Sequence, residues 1–232
     1  MSSRERFLAR VRQAAEQGRR YRVHLKPFDD QIGYLGAGDD LVERFATEVN
    51  AVGGKAFVVP EIEAARRQLK ELLSEACATS ALCWQHEFLH RLGLVELLSA
   101  SGVTMLDHAR LTDMPATARR KTLLACDVGI TSCDCAIAET GTLMMCSQPG
   151  QERVASLLPP MHIAIVESQQ IVPDLIDAIG MLNQRGFESL PSNVTFITGP
   201  SKTGDIELQL TTGVHGPGKW LVIVIAARNN GG

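Results

Sequence analysis

The heptapeptide MHIAIVE, Met161–Glu167, is apolar at five of its seven positions and shows no regular polar alternation. A short run of this kind is typical of a β-strand that is buried on both faces. KWLVIVIA (219–226) has the same character, and PDLIDAIGMLNQRG (173–186), between the two, has helical spacing and ends at a glycine. Buried strands that alternate with helices predict an α/β fold with a mostly parallel sheet and helices on both faces.

The same alternation extends toward the amino terminus. Helical spacing predicts helices over 39–54, 60–76 and 86–99, and β-branched runs predict strands over 55–59, 78–84 and 103–106. No repeat or linker interrupts this series, so we predict one α/β domain over 38–232. Residues 1–37 precede it as an N-terminal helical arm, in which Phe7, Val11 and Ala14 recur at helical spacing.

The composition excludes several classes of function. The 232 residues carry a net charge of −3 with dispersed basic residues, so we expect no nucleic-acid surface. The longest apolar run, Trp220–Ala227, is too short to span a bilayer. The first residues lack the apolar centre of a secretory signal. We therefore expect a cytoplasmic protein whose six cysteines are reduced thiols.

The stretch HEFLH, His86–His90, matches the zinc-hydrolase pattern H-E-x-x-H. Helix geometry argues against that role, because the apolar residues of this segment form one arc and both histidines lie on the opposite, less buried side. The arc consists of Phe88, Leu89, Leu92 and Val95. We therefore expect two helix-surface histidines and no metal site.

Four of the cysteines are close together in the sequence. They are Cys126, Cys133, Cys135 and Cys146. Zinc sites and iron–sulfur clusters usually take C-x2-C spacings, and this segment has none. Because cysteine is among the most frequently buried residues, we predict core thiols, and we expect no metal or cofactor on this chain.

Polar residues interrupt a small and apolar segment in TSCDCAIAETGTL (131–143). We predict that the fold brings Asp134 and Glu139 together at a cleft as catalytic carboxylates, with Thr140 beside them. Gly141 would let the backbone approach a ligand closely. The alternative is a turn that carries surface carboxylates.

A second polar segment is FITGPSKTGDIELQLTTGVHGPGKW (196–220). We predict that a strand over 193–198 runs into a small-residue turn and then into a short helix that Asp205 caps. Such a turn offers amide groups and an ammonium to an anion, either a carboxylate or a phosphate. The predicted ligand-binding residues are Gly199, Ser201, Lys202, Thr203 and Asp205. In the alternative, Lys202 points to solvent and Asp205 only caps its helix.

His215 completes this candidate site. Glycines flank it in GVHGPG (213–218), so the imidazole has little steric cover and is a candidate catalytic group. We expect the strands over 142–146 and 193–198 to share one sheet. Their loops would then line a common mouth that places His215 near Ser201.

The two segments TSCDCAIAETGTL (131–143) and TGPSKTGDIELQLTTGVHGPGKWLVIV (198–224) resemble the signature blocks of the lactate-utilisation protein C family, which has a LUD domain. The start MSSRERFLARVRQAA and the stretch W…LHRLGL (84–94) are also similar to this family. The resemblance implies an α/β fold similar to ribose-5-phosphate isomerases, glucosamine-phosphate deaminases and CoA transferases. Cys133 and Cys135 depart from the pattern, where small residues such as alanine are expected.

The resemblance also implies partners and an activity. Family members are encoded with cysteine-rich and iron–sulfur proteins that together oxidise L-lactate to pyruvate, so a cluster is expected on the partner subunits. A second reading is a stand-alone enzyme similar to CoA transferases, in which Glu139 of the E-x-G stretch attacks an acyl group, or a binder of a small anionic metabolite. A zinc peptidase is the least favoured reading.

Overall fold

The computed structural model describes residues 3–19, 37–185, 189–204 and 210–226. Helix α1, Ser3–Arg19, lies in a unit of its own, and residues 36–232 form the second unit. The helices of the second unit are α2 Leu41–Ala51, α3 Ile62–Glu75, α4 Glu87–Arg91, α5 Leu94–Ala100, α6 His108–Thr112, α7 Ala116–Leu124, α8 Val154–Leu157 and α9 Leu175–Gln184. The helix predicted around Phe7 is confirmed as α1, and the domain boundary at residue 38 stays a prediction.

Twelve strands are present in the described residues. They are β1 Lys55–Val59, β2 Ser80–Cys83, β3 Thr104–Leu106, β4 Val128–Thr131, β5 Cys135–Ile137, β6 Thr142–Cys146, β7 Met161–Glu167, β8 Ile171–Val172, β9 Val194–Ile197, β10 Lys202–Gly204, β11 Leu210–Thr212 and β12 Lys219–Ile225. A 3-10 turn, Ser168–Gln170, links β7 to β8.

Six strands form a fully parallel sheet in the order β1-β12-β7-β4-β2-β3. The first six residues of β7 are buried, because β7 lies between β12 and β4 and both faces of the sheet are covered. This arrangement explains why the strand is apolar without alternation. The prediction of an α/β fold with a mostly parallel sheet is confirmed.

A second, four-stranded sheet has the order β8-β5-β6-β9. Strands β5, β6 and β9 pair antiparallel, whereas β8 pairs parallel with β5. Ala136 and Leu143 on one face join the main core, while Ile137 and Met144 on the other face pack with Ala178 of α9 in a second core. The prediction that 142–146 and 193–198 share one sheet is confirmed: β6 and β9 are direct neighbours, in a mixed sheet separate from the parallel one.

The helix predicted over 86–99 is two helices, because the chain adopts a left-handed backbone at Gly93 (φ +69°). A Cβ at this position would lie 2.4 Å from Nη1 of Arg66, whose guanidinium donates to the carbonyl oxygens of Leu92 and Gly93. The break rotates the second helix, and Val95 is consequently exposed rather than part of the apolar arc. Helices α6 and α7 were not predicted. Helix α7 has no buried face, so its sequence shows no apolar periodicity.

Candidate functional site

A cavity of about 260 Å³ lies against the parallel sheet near the amino ends of two neighbouring strands. The second residue of each strand, His162 of β7 and Trp220 of β12, lines it. Helix α8, strand β9 and the loop around His215 supply the remaining walls. These walls include Ser156, Leu157, Thr195, Phe196, Ile197, Thr198, Gly199, Ser201, Gly216 and Pro217. The cavity is therefore mostly enclosed by residues of the second predicted block.

His162 is fully buried in the centre of the sheet. Its Nε2 lies 2.8 Å from the hydroxyl oxygen of Thr131 on the neighbouring strand, and its Nδ1 has no partner among the described residues. Burial lowers the pKa of His162 to about 3, because a charged imidazolium would lose its hydration. The ring is therefore neutral at physiological pH and can offer either a lone pair or an N–H at Nδ1.

Trp220 lies beside His162, because the two residues are paired in the register of β12 and β7. Its indole Nε1–H is buried and has no acceptor among the described residues. A Cβ at Gly54 would lie 2.4 Å from Cε3 of Trp220, so only a glycine there leaves room for the ring. Leaving a buried donor unpaired costs about 1–3 kcal/mol, which a ligand or an ordered water in the cavity can recover.

The fold brings three of the predicted site residues of the second block to this cavity: Gly199, Ser201 and His215. Ser201 is held by two backbone bonds, from its N–H to the carbonyl oxygen of Pro217 at 2.9 Å and from the N–H of Gly213 to its own carbonyl oxygen at 2.9 Å. A Cβ at Gly216 would lie 3.1 Å from the Cβ of Ser201. His215, the next residue, is therefore close to Ser201 as predicted, and its catalytic role stays a prediction.

Lys202 and Thr203 do not lie in a turn, and that part of the prediction is wrong. They form strand β10 with Gly204, and this strand pairs antiparallel with β11. Neither side chain lines the cavity. Nζ of Lys202 instead donates to the carbonyl oxygen of Val52 at 2.6 Å, at the carboxyl end of α2. Asp205 and the short helix predicted after it lie outside the described residues.

Gly199, like Lys202, packs against Val52 at the carboxyl end of α2. Its φ is +88°, and an added Cβ would lie 2.8 Å from the carbonyl oxygen of Val52. The glycine is therefore required for close packing of the loop against the end of α2, in addition to its place in the cavity wall.

Asp134 and Glu139 are not brought together, because strand β5 separates them. Asp134 precedes this strand and Glu139 follows it. The carboxylate of Asp134 accepts from Nη2 of Arg185 at 2.6 Å and from the N–H of Cys146 at 2.7 Å. Asp134 thus joins β6 to the end of α9. Glu139 is half-buried in the β5–β6 turn, and its N–H donates to the carbonyl oxygen of Pro173 at 3.0 Å.

Gly141 packs closely against helix α2 and not against space for a ligand. Its φ is +62°, and an added Cβ would lie 2.5 Å from the backbone nitrogen of Val49 in α2. The expectation that this glycine admits a ligand is wrong, because helix α2 occupies that space.

A chain of hydroxyl groups links the two predicted blocks. Oγ1 of Thr140 lies 2.7 Å from Oγ1 of Thr142, which in turn lies 2.7 Å from Oγ1 of Thr198. Thr140 is exposed in the β5–β6 turn, whereas Thr198 lines the cavity. Thr140 therefore does not line the cavity itself. It is connected to the cavity wall only through the hydroxyl groups of Thr142 and Thr198.

The histidines of HEFLH have ordinary positions at a helix start. His86 precedes α4, and its Nδ1 accepts from the N–H of Phe88 at 3.2 Å. Burial lowers the pKa of His86, while Asp134 and Glu167 oppose that change. His90 is exposed. Within the described ranges, no three His, Cys, Asp or Glu side chains are grouped closely enough to hold a metal ion.

The cysteines are packing residues in the structure. Cys133 belongs to the main core and Cys135 to the second core, so the C-x-C pair does not present two thiols to one point. Burial raises the pKa of Cys135 to about 12 and that of Cys146 to about 11. Both thiols therefore stay protonated at physiological pH, whereas a metal ligand would be a thiolate.

The two residues that dominate the cavity, His162 and Trp220, were not predicted as site residues. A signal was present, because each is the polar-tipped side chain near the start of an otherwise apolar strand. Such groups need a partner when they are buried. Both strands also have the continuous apolar pattern of buried core strands, which obscures this signal.

The parallel sheet with helices on both faces defines an α/β protein, and a solved structure has a similar fold. A DUF162 family protein from Deinococcus radiodurans matches with a TM-score of 0.55 at 22% identity, over 80% of this chain and 96% of that chain. The sequence model of the LUD domain matches residues 42–225. The chain belongs to the LUD domain family.

Relatives with assigned names are similar over most of the chain. A lactate utilization protein C from Halalkalibacterium halodurans is 32% identical over 72% of this chain and 72% of its own length. A protein of the same name from Geobacillus sp. is 34% identical over 82% of this chain and 80% of its own length. Another from Exiguobacterium sp. is 42% identical over 43% of this chain and 44% of its own length.

Proposed function

We propose that this protein works in lactate utilisation, as a cytoplasmic subunit or accessory of an iron–sulfur system that oxidises L-lactate to pyruvate. The observation that carries the proposal is the LUD domain match over residues 42–225, together with relatives named lactate utilization protein C. The cavity supports it, because a volume of about 260 Å³ suits a small metabolite better than a drug-sized ligand. In the described residues, no helix is long and apolar enough to cross a membrane.

The proposal places the iron–sulfur cluster on partner proteins. Oxidation of lactate to pyruvate releases two electrons and two protons, so an electron acceptor must be part of the system. The six thiols of this chain suit that role poorly, because five are buried and those of Cys133, Cys135 and Cys146 are held as protonated thiols. Clusters are bound by thiolates, which the cysteine-rich and iron–sulfur partners would supply.

Growth on L-lactate tests the biological role. Deletion of the gene should prevent growth on L-lactate as the sole carbon source and leave growth on glucose unchanged, and the wild-type gene should restore it. Normal growth of the deletion strain on L-lactate would contradict the proposal.

Purification tests the partner assignment. A tagged copy isolated from lactate-grown cells should retain iron-containing proteins and show the visible absorption of a cluster, whereas the chain expressed alone should be colourless. Iron bound stoichiometrically to the isolated chain would show that the cluster was placed on the wrong subunit.

The alternative of a CoA-transferase-like enzyme depends on Glu139. This carboxylate lines neither the 260 Å³ cavity nor the open cleft of about 990 Å³ beside Arg153 and Arg185. The geometry therefore favours the lactate role. Glu139→Gln decides between the two, because a transferase would lose its nucleophile and its activity. We expect the variant to support growth on L-lactate at the wild-type rate, and loss of growth with an intact fold would favour the transferase.

A further inference from the structure

We propose that the cavity beside His162 and Trp220 binds a small monocarboxylate, and that the two ring nitrogens Nδ1 and Nε1 hold its carboxylate group. This inference deepens the proposed function and rests on it for the identity of the natural ligand. The donors and the apolar lining support this class of ligand independently of the family.

The two nitrogens belong to side chains that are neighbours on the sheet. His162 and Trp220 are register partners on adjacent parallel strands, which lie about 4.8 Å apart, so their side chains leave the same face of the sheet side by side. Neither nitrogen has a partner among the described residues. The two oxygens of a carboxylate can accept from both rings at once, and this would satisfy two buried groups with one ligand.

The contact with Thr131 is compatible with the tautomer that this arrangement needs. Its hydroxyl group lies 2.8 Å from Nε2 of His162. When the hydroxyl donates to Nε2, the imidazole proton is on Nδ1, and the ring presents an N–H toward its unpartnered side. The neutral ring then acts as a hydrogen-bond donor without carrying a charge into the core.

The walls of the cavity lack the cations that a multiply charged anion would need. Among the described residues that line the cavity there is no Lys, Arg, Asp or Glu, and the ammonium of Lys202 donates to the carbonyl oxygen of Val52. Apart from the neutral His162, His215 at the exposed edge is the ionisable side chain of the lining. Phosphate sites usually rely on arginine, lysine or a helix N-terminus, so the site suits one negative charge better than two.

The remaining lining suits a short carbon skeleton. Leu157, Phe196 and Ile197 supply apolar surface, while Ser201 and Thr198 supply hydroxyl groups that can bond to a hydroxyl or oxo group next to the carboxylate. L-Lactate and pyruvate both have this composition: one carboxylate, one polar oxygen and one methyl group.

The chain contains two tryptophans, and this allows a direct test on the full-length protein. Trp84 is equally buried, but its Nε1 already donates to the carbonyl oxygen of Glu152 at 3.0 Å. The two indole N–H signals in a ¹H–¹⁵N spectrum are assigned with the single variants Trp84→Phe and Trp220→Phe. Sodium L-lactate, sodium pyruvate, neutral lactamide and inorganic phosphate are then titrated into the wild-type protein.

We expect L-lactate or pyruvate to move the indole signal of Trp220 saturably and to leave that of Trp84 in place. Lactamide and phosphate should produce no saturable change. Trp220→Phe should weaken carboxylate binding about tenfold or more in calorimetry, because one bond to a charged acceptor is lost, and Trp84→Phe should bind as the wild type does. Ser201→Ala provides a second variant with a smaller expected loss.

Three results would overturn the inference: no saturable shift with either carboxylate, an equal response to lactamide or phosphate, or unchanged binding in a folded Trp220→Phe protein. Growth on L-lactate separates this failure from failure of the proposed function. If the gene is required for growth but the cavity binds no monocarboxylate, the function stands and the inference is wrong. If the cavity binds a carboxylate but the gene is dispensable on lactate, the inference stands and the function is wrong.

Discussion

Nζ of Lys202 lies 2.6 Å from the carbonyl oxygen of Val52, 150 positions earlier in the chain. The last carbonyl groups of a helix have no partner within it, and a cation there also interacts favourably with the helix dipole. Lys202 therefore stabilises the junction between α2 and strand β10. We expect Lys202→Met to lower the melting temperature by about 1–4 °C, which corresponds to about 0.5–1 kcal/mol, because the donor is partly solvated.

Calorimetry on the same variant checks its role at the cavity. Lactate binding by Lys202→Met should equal that of the wild type, since the ammonium does not line the cavity. Lys70→Met, at an exposed position of α3, is the matched control and should change neither property. Loss of binding without loss of stability would restore Lys202 as a ligand-binding residue.

Asp134 should matter for stability because it satisfies two donors at once. Asp134→Ala removes the partner of Arg185 and leaves the N–H of Cys146 without an acceptor, at an expected cost of about 2–3 kcal/mol. Asp134→Asn keeps an oxygen acceptor and should cost about half as much. Urea unfolding of the three proteins measures these differences, and equal stability of all three would show that the carboxylate does not hold β6 to α9.

Gly141 and Gly102 form a matched pair for testing the contact with α2. Both have a left-handed backbone, with φ of +62° and +70°, but a Cβ at Gly141 would clash with α2, whereas nothing lies within 4 Å of one at Gly102. Gly102→Ala should cost about 1 kcal/mol for the backbone strain alone. Gly141→Ala should cost at least about twice that amount in chemical denaturation. Equal costs would mean that the turn can move away from α2.

The lowered pKa of His162 should make the free energy of unfolding depend on pH. The folded pKa of His162 is lowered to about 3, whereas an unfolded histidine titrates near its ordinary value of about 6.5. Above pH 6.5 both states are neutral and this group adds no pH dependence. Between about 6.5 and 3 only the unfolded chain binds the proton, so the free energy of unfolding should fall by up to about 1.4 kcal/mol per pH unit as the pH decreases.

The variant His162→Gln isolates this contribution from that of other titrating groups. Its free energy of unfolding at pH 7 should be lower, because the ring packing and the bond to Thr131 change. Its decline between pH 6.5 and 4 should be shallower than that of the wild type. Parallel curves for the two proteins would mean that His162 takes up its proton without unfolding.

The parallel sheet could be predicted because its long strands carry a clear signal. Strand β7 is seven residues long and apolar, and helix α3 has a regular apolar face, so burial and periodicity identify both. The second sheet could not be predicted in full. Its strands β5 and β8 contain three and two residues, which is too short for any periodicity to appear.

The candidate site was predictable only where neighbours in sequence remain neighbours in space. Gly199 and Ser201 precede the antiparallel pair of β10 and β11 and His215 follows it, so the pairing of these strands brings all three residues to one cavity. The error over Lys202 had another cause: a lysine beside small residues suits an anion site and a helix end equally well, and only the distant position of Val52 decides between them. Asp134 and Glu139 lie on either side of β5, and a strand of three residues is too short for the sequence to reveal that it separates them.

The burial of the cysteines determines which thiols can be oxidised or labelled in the folded protein. Of its six thiols, five are buried and only Cys77, just beyond the end of α3, is exposed. An oxidant or a maleimide dye in solution therefore meets one reactive thiol on each folded chain. Storage without reductant can join two chains through Cys77 but cannot extend them into a polymer, and a single fluorophore can be attached at a known position without engineering the sequence.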